Sequence, residues 1–294
     1  MGRLNRTAHR LTSAIEEASA LDAVADPLSG LVLKVTKRKA IKNLLSGTWL
    51  GHTLHPMLTD VPIGFWSAAM LLDVTAGERG ARAAIRMVGL GVLGAIPTAI
   101  AGASDWADTH GPTKRVGLVH ALLNDVALTL QIVSWLSRRG GNRGRGIGLS
   151  LAASGLMVVS AYLGGHLSLV RGVGINHTAF QGPAFREAAA KWTDVAAETD
   201  VTEGKPLRVT ADGVPVMLVK QDGVVRALSA TCTHAGGPLD EGTLVDGCVQ
   251  CPWHGSEFRL DDGTVERGPA SVPEPVWDVR VAGGRVSVRS RATA

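Results

Sequence analysis

Four long apolar segments in the first half of this 294-residue chain constrain its fold more than any other feature. Each has about the 20 residues that a helix needs to cross the roughly 30 Å hydrocarbon core of a bilayer. A buried bundle in a soluble protein is the alternative, but four such runs in succession favour a membrane domain. The segments are Pro56–Val74, Ala83–Trp106, Val116–Leu136 and Gly146–Val170.

The region before these segments predicts two amphipathic helices, near Thr7–Val24 and Pro27–Leu45. The second is basic, and a basic amphipathic helix just before a span commonly lies at the headgroup level. A solvated charged helix is an equally good interpretation. No secretory signal is predicted, because no apolar core follows the basic start. The net charge is only +4, with Lys and Arg in short clusters between apolar runs, which suits membrane flanks and excludes a nucleic-acid face.

After about residue 190 the pattern changes to short β-prone runs separated by turns. Asp212-Gly213, Asp222-Gly223, Asp262-Gly263 and Gly283-Gly284 are signals for hairpin turns. A small antiparallel β domain is therefore predicted, and Gly182-Pro183 marks a break before it. Its predicted strands are Leu207–Thr210, Val214–Lys220, Val224–Leu228, Leu244–Cys251, Ser256–Leu260, Val276–Val281 and Arg285–Val288.

The predicted fold is thus an α-helical membrane bundle of four transmembrane helices followed by an all-β domain. We expect an N-terminal amphipathic helical segment at residues 1–50 and a four-helix transmembrane domain at 51–172. A linker at 173–191 then leads to the β domain at 192–294.

Two short Cys/His pairs lie in the predicted β domain. Cys232-Thr-His234 and Cys251-Pro-Trp-His254 supply two thiolates and two imidazoles. A [2Fe–2S] cluster with two cysteines on one iron and two histidines on the other needs that set. The same residue types could hold a tetrahedral Zn²⁺, and Cys248-Val-Gln-Cys251 with His254 offers a second zinc-like set. With two of three cysteines assigned to metal, no disulfide framework is expected.

The sequences Cys-Thr-His-Ala-Gly-Gly-Pro-Leu and Cys-Pro-Trp-His-Gly-Ser-Glu-Phe around these pairs resemble the Rieske iron–sulfur family. The resemblance implies that Cys232 and Cys251 bind the buried iron, and that His234 and His254 bind the outer iron. It also implies an electron carrier whose redox partner docks at the edge of the two histidine rings. Cys248 falls outside the motif and is predicted to be a buried strand residue.

Four neighbouring positions indicate the branch of this family. Gly237 and Trp253 stand where the cytochrome bc type has two further cysteines, so its loop disulfide cannot form. Ser256 matches a serine that donates a hydrogen bond to the cluster in the high-potential branch, and Phe258 replaces a tyrosine there. Because hydrogen bonds to cluster sulfur raise the reduction potential, we expect a value below that of the bc type. These features resemble the ferredoxin and oxygenase branch.

The helical region resembles a family of small four-helix bacterial membrane proteins of undefined function. The resemblance rests on the pattern Gly-His-Thr-Leu-His-Pro-Met-Leu-Thr-Asp-Val-Pro-Ile-Gly at residues 51–64. A closing pattern, Gly-Gly-His-Leu-Ser-Leu-Val-Arg-Gly-Val-Gly, follows at residues 164–174. The resemblance covers about residues 45–180 and implies a fold rather than a function.

The histidines of the helical region fall at one predicted end of the bundle. Ionisable residues at membrane depth are functional candidates, because they are costly there. One hypothesis is a b-type haem held by a pair among His55, His120 and His166; another is a quinone or proton-transfer pocket that also uses Asp60 and Asn124. The simpler alternative is that these histidines cap helix ends.

The sequence as a whole predicts a membrane-anchored electron-transfer protein with a Rieske cluster, whose partners are the lipid bilayer and a redox protein. A ferredoxin-type donor to an oxygenase system and a structural zinc-binding membrane protein are the alternatives. No complete catalytic site is identified, so enzyme status stays open. We expect a multi-pass protein of the bacterial cytoplasmic membrane. The missing export signal favours a cytoplasmic cluster domain, although Ser137-Arg138-Arg139 resembles an internal twin-arginine signal.

Overall fold

The computed structural model describes residues 3–181 and 191–291. Within them the chain forms seven α-helices followed by ten β-strands, which confirms the predicted fold class. The chain divides into two compact units: residues 1–38 with 53–173, and residues 39–52 with 174–294. Residues 39–52 therefore group with the strands, a division that differs from the predicted boundary at residue 50. The predicted break at Gly182-Pro183 lies outside the described residues.

Three helices precede the bundle where the sequence predicted two. They are α1 (Arg3–Glu17), α2 (Asp22–Val35) and α3 (Lys39–Ser46). A 3₁₀ turn at Ser19–Leu21 separates α1 from α2, so the predicted helix Thr7–Val24 is interrupted. Pro27, which was expected to begin the second helix, lies inside α2, because the helix begins at Asp22 with an acidic residue in its first turn.

The four predicted spans are all helices. They are α4 (Leu54–Thr75), α5 (Gly77–Ala107), α6 (Gly111–Arg139) and α7 (Arg143–Gly165), and a π-helical turn at 166–170 extends α7. All four are long and apolar enough to cross a membrane. The main packing contacts join α4 to α5, α5 to α6 and α6 to α7, so α4 and α6 lie on one diagonal of the bundle. Several helices begin outside the predicted segments, because polar turns continue the helix beyond the apolar run.

Tryptophan rings packed against glycines set the spacing of these helices. The Trp66 ring lies against Gly91, and its Nε1 donates to the carbonyl of Val88 at 3.2 Å. A Cβ at Gly89 would lie 2.7 Å from Nε1 of Trp135. Because a side chain at either glycine would collide with indole, Gly89 and Gly91 have a packing role.

A buried ion pair closes the end of the bundle where α4 meets α5 and α6 meets α7. Arg138 Nη1 donates to Asp73 Oδ1 at 3.0 Å, and their side chains are 1% and 4% exposed. Arg143 also donates to Asp73 Oδ1 at 3.0 Å. Asp73 of α4 thus binds the guanidinium groups of Arg138 and Arg143, and these contacts link three helices.

Replacing Asp73 with alanine should destabilise the bundle by about 3–5 kcal/mol, because the fully buried Arg138 would lose its counter-charge. The free energy of unfolding of the purified protein in detergent measures this. Glu78→Ala is the matched control, since Glu78 binds Arg143 with a side chain that is 83% exposed, and its removal should leave stability nearly unchanged. Equal effects of the two variants would contradict this role of Asp73.

The second unit contains two antiparallel sheets. Six strands form one sheet in the order β1-β10-β9-β4-β3-β2, and four form the other in the order β5-β6-β7-β8. A buried cluster that includes Met217, Leu228, Val249 and Phe258 packs between the two sheets. The strands are β1 (Thr193–Ala197), β2 (Leu207–Ala211), β3 (Val214–Gln221), β4 (Val224–Ser229), β5 (Thr243–Val245), β6 (Cys248–Gln250), β7 (Glu257–Arg259), β8 (Val265–Arg267), β9 (Val276–Ala282) and β10 (Arg285–Ser290).

The predicted hairpins are present, with one correction. Asp212-Gly213 and Asp222-Gly223 have positive φ at both residues, as a type I′ turn requires. The predicted strand Leu244–Cys251 is wrong, because Asp246 and Gly247 form another such turn with φ of 47° and 77°, and it divides the segment into β5 and β6. The sequence also missed β1 and β8, which are short strands at the edges of their sheets.

Candidate metal centre

Two loops of similar backbone geometry carry the Cys/His pairs. The first follows β4, and the second joins β6 to β7. The carbonyl of Cys232 accepts the N–H of Gly236 at 2.9 Å, and that of Cys251 accepts the N–H of Gly255 at 3.0 Å. Both glycines have positive φ, 78° and 71°, which explains the choice of glycine four residues after each cysteine. Each loop therefore turns its cysteine and histidine side chains to the same side.

The four predicted ligands come together as two pairs, one of cysteines and one of histidines. Cys232 and Cys251 are 1% and 3% exposed, and their sulfur atoms are hydrogen-bonded to each other. The rings of His234 and His254 have centroids 4.9 Å apart. Nδ1 of His234 is buried and has no hydrogen-bond partner among the described residues. Burying a nitrogen without a hydrogen-bond partner costs free energy, so this atom is a candidate to bind a ligand.

The pKa values of the paired side chains differ from their ordinary values. Because Cys232 donates to the sulfur of Cys251, the pKa of Cys251 falls to about 7, while the same bond and burial raise the pKa of Cys232. Burial, then the charges of His254, Lys42 and His177, lowers the pKa of His234 to about 3. A thiolate beside neutral imidazoles is the state in which these side chains bind metal.

A glycine permits the close approach of the two loops. A Cβ added to Gly237 would lie 2.8 Å from Sγ of Cys251 and 3.1 Å from the Trp253 ring. The first loop therefore packs against the second by way of bare backbone. Cys248 lies apart from this contact, as a buried residue of β6 whose register partners are Val245 and Arg259. This agrees with the expectation that Cys248 is a strand residue.

Ser256 is attached to the second cluster loop, because its carbonyl accepts the N–H of Cys251 at 2.8 Å. It is fully buried, and its Oγ accepts the N–H of Ala270 at 3.0 Å. Since an oxygen that accepts this bond keeps its own hydrogen as a donor, the hydroxyl retains a hydrogen bond to give. Phe258, also fully buried, packs in the apolar cluster that contains both cysteines.

Three residues near the site were missed by sequence reasoning. Glu274 is buried, with its pKa raised well above the usual range by burial, and its Oε2 accepts the N–H of Thr233 at 3.2 Å. The backbone N–H of His177 donates to the carbonyl of Thr233 at 3.0 Å. Lys42 of α3 is 4% exposed. Only the Pro-Glu-Pro sequence around Glu274 was a signal, because Lys42 and His177 belong to segments that the sequence assigns to the helical half.

Helix α3 is attached to the β domain next to this site. Nδ2 of Asn43 donates to the carbonyl of Glu266 at 3.1 Å, and Oδ1 of Asn43 accepts the N–H of Gly268 at 2.9 Å. Thr48 donates to the carbonyl of Ala270 at 3.1 Å. These bonds satisfy the backbone of the loop that also supports Ser256, so residues 39–52 are part of the structure around the site.

The candidate residues of the bundle divide into two groups. The rings of His55 and His120 have centroids 6.5 Å apart. His166 is elsewhere, with Nε2 2.8 Å from Oε1 of Glu16, a carboxylate that also binds Arg171. The structure thus brings together two of the three predicted histidines. Asp60, the acidic residue proposed for a quinone pocket, is exposed.

Comparison with known proteins decides the family. Residues 191–282 match the family described as the Rieske [2Fe–2S] domain. Ferredoxin CarAc of Metapseudomonas resinovorans is 35% identical over 98 residues, which are 33% of this chain and 92% of the ferredoxin. The chain belongs to the Rieske [2Fe–2S] family. The Rieske domain indicates a [2Fe–2S] cluster and an electron-transfer role. The two cysteines and two histidines fit that cluster, as does the buried Nδ1 of His234, which has no partner among the described residues.

Other relatives extend or limit this assignment. The anthranilate 1,2-dioxygenase ferredoxin subunit of Burkholderia cepacia is 29% identical over 99 residues, which are 34% of this chain and 92% of that subunit. Apoptosis-inducing factor 3 of Mus musculus is 34% identical over 95 residues, which are 32% of this chain, but the match spans only 16% of that protein. Residues 51–177 match a family described as predicted membrane protein (DUF2231), as the sequence patterns indicated.

Replacing Ser256 with alanine should lower the reduction potential of the Rieske cluster. A hydrogen bond to a charged acceptor contributes about 1.5 kcal/mol or more, and this corresponds to about 65 mV for one electron. Redox titration followed by circular dichroism or absorbance measures the change. Ser229→Ala is the control, since Ser229 is equally buried but its Oγ lies beside Nε1 of Trp277. An unchanged potential in Ser256→Ala would exclude a hydrogen bond to the cluster.

Proposed function

We propose that this protein is a membrane-anchored Rieske electron carrier in which Cys232 and Cys251 bind one iron and His234 and His254 bind the other. The observation that carries the proposal is the buried Nδ1 of His234, which lacks a partner among the described residues, in a domain where the sulfur atoms of Cys232 and Cys251 are hydrogen-bonded to each other. When bound, the cluster would accept and release one electron, and its two neutral imidazoles would raise its potential above that of a four-cysteine cluster.

The surface of the helices supports insertion in a bilayer. Large apolar side chains project from the bundle, and Leu71, Val74, Leu93 and Val158 are 63%, 83%, 64% and 72% exposed. Only 17–28% of the most apolar window of each long helix is buried. Exposing so large an apolar surface to water is unfavourable for a monomer, whereas the hydrocarbon core of a bilayer solvates apolar side chains. The carrier is therefore proposed to be a multi-pass membrane protein.

A redox partner is proposed to dock at the exposed end of the second cluster loop. Trp253 is 55% exposed, and its ring centroid lies 6.4 Å from that of His254. His234, in contrast, has its Nδ1 buried. An exposed aromatic side chain next to a ligand favours a contact surface, because tryptophan supplies large contact area with few rotatable bonds. The expected docking edge is thus centred on His254 and Trp253.

The second candidate is a ferredoxin-type donor to an oxygenase system, which the names of two relatives favour. Electron donation to an oxygenase and anchoring by the bundle are compatible, since the cluster performs the same one-electron transfer in both cases. A redox group held by the bundle histidines, a haem or a quinone, would instead give the cluster a donor or acceptor within the same chain.

Electron paramagnetic resonance of the dithionite-reduced protein tests the ligand assignment. The full chain should give a rhombic Rieske-type signal and lose it in Cys251→Ser, because one thiolate of the iron would be gone. Cys248→Ser should retain the signal, since this residue is a strand position outside the two loops. A protein that contains zinc and no iron would overturn the proposal, as would loss of the signal only in Cys248→Ser.

Replacing Trp253 with alanine should slow electron transfer to the partner while leaving the cluster and its potential nearly unchanged. Loss of a central interface tryptophan typically costs about 2 kcal/mol or more in binding, which is roughly a thirtyfold weaker complex. Stopped-flow oxidation of the reduced protein by a Rieske oxygenase or by a membrane-extract acceptor measures the rate. Val224→Ala removes a similarly exposed apolar side chain, 52% exposed, at the start of β4 and outside the cluster loops, and should have no effect. Equal rates in all three proteins would place the docking surface elsewhere.

A further inference from the structure

The two helical hairpins of the bundle repeat one side-chain arrangement. Nδ1 of His55 on α4 lies 2.9 Å from the carbonyl of Thr98 on α5. Nδ1 of His120 on α6 lies 2.9 Å from the carbonyl of Ser160 on α7. In both hairpins a histidine of the first helix is thus bound to the backbone of the second helix at a hydroxyl-bearing residue.

A glycine one turn further along the second helix completes the arrangement in each hairpin. A Cβ at Gly102 would lie 2.7 Å from Nδ1 and Cε1 of His55, and a Cβ at Gly164 would lie 3.1 Å from Cε1 of His120. Each imidazole therefore rests in a notch made by Thr98-Ala-Ile-Ala-Gly102 or by Ser160-Ala-Tyr-Leu-Gly164. The equivalence of the two notches indicates a site shared by both hairpins.

Backbone bonding sets the chemistry of these rings. A carbonyl oxygen only accepts hydrogen bonds, so Nδ1 carries the proton and Nε2 presents a lone pair in both histidines. Metal-ligating histidines almost always donate their other ring N–H to a carboxylate, carbonyl or water in this way. Nε2 of His120 also receives a 3.2 Å contact from Nδ2 of Asn124, which a metal bond would replace. In this arrangement both histidines are neutral imidazoles that could bind a metal through Nε2.

The two rings face each other across the bundle. They belong to α4 and α6, on one diagonal, and their centroids are 6.5 Å apart with planes at 89°. With metal–nitrogen bonds of about 2.0 Å, two imidazoles on opposite sides of one metal have ring centres roughly 6 Å apart. Cofactor sites of four-helix bundles are built in this manner from side chains on facing helices.

We propose that Nε2 of His55 and Nε2 of His120 would hold the iron of a b-type haem in the bundle. This proposal rests on the proposed function and deepens it. The haem iron, changing between Fe(III) and Fe(II), would be the one-electron donor or acceptor of the Rieske cluster. The haem is preferred to a quinone because a bis-imidazole iron would use both Nε2 atoms, and at His120 it would replace the contact from Asn124. His166 takes no part, because its Nε2 is hydrogen-bonded to Glu16.

Spectroscopy of the full-length protein, purified in detergent from cells supplied with a haem precursor, tests the proposal. A pyridine haemochrome assay should give one b-type haem per chain, with a low-spin, six-coordinate spectrum. His55→Ala and His120→Ala should each lose that spectrum, and added imidazole should restore six-coordination by filling the space left by the ring. His166→Ala should keep it. Imidazole rescue shows that a variant which loses the spectrum has still folded.

The Rieske electron paramagnetic resonance signal, recorded on the same samples, separates this proposal from the proposed function. Retention of the cluster signal in His55→Ala and His120→Ala, with the haem lost, supports the haem site. A protein with a complete cluster and no haem overturns the haem proposal alone, as does co-purified quinone or a metal ion without porphyrin. Haem that persists in both histidine variants would also overturn it.

Discussion

Bare backbone at glycine sets how closely the functional groups of this protein approach one another. Because Gly237 has no side chain, the sulfur of Cys251 can pack against its backbone. The ring of His55 packs against the backbone of Gly102 in the same way. In both units a side chain that carries chemistry rests against a main chain without a Cβ, so its position is fixed by rigid backbone rather than by a flexible neighbour. Functional groups held in this way are pre-organised, because few rotamers remain available to them.

The two units satisfy their polar groups by different means. The cluster loops turn tightly so that each cysteine backbone is bonded within its own loop, which leaves the side chains for the metal. The bundle instead bonds histidine side chains to helix carbonyls that already accept a bond in their own helix. The first solution suits a site at the edge of a sheet, and the second suits a membrane, where unsatisfied polar groups are expensive.

Sequence reasoning predicted the features that depend on local pattern and failed on those that depend on distant contacts. The four apolar runs, the Asp-Gly turns and the Cys/His motifs are local, so the helices, most hairpins and the family followed from them. Edge strands such as β1 have no pattern of their own, because they are stabilised by pairing with β10. Lys42 looked like one charge on an amphipathic surface, since nothing in the sequence shows that α3 joins the strand domain.

The two histidine pairs show why residue type alone could not decide the function of each. At the proposed cluster site, Nδ1 of His234 is buried and has no partner among the described residues, so Nδ1 is the atom left for the proposed iron. In the bundle, Nδ1 of His55 and His120 is bonded to backbone, so Nε2 is the atom left. Which nitrogen remains available is set by the partner of the other one. The same residue type therefore presents opposite ring atoms, and only the three-dimensional contacts of His166 distinguish it from a ligand.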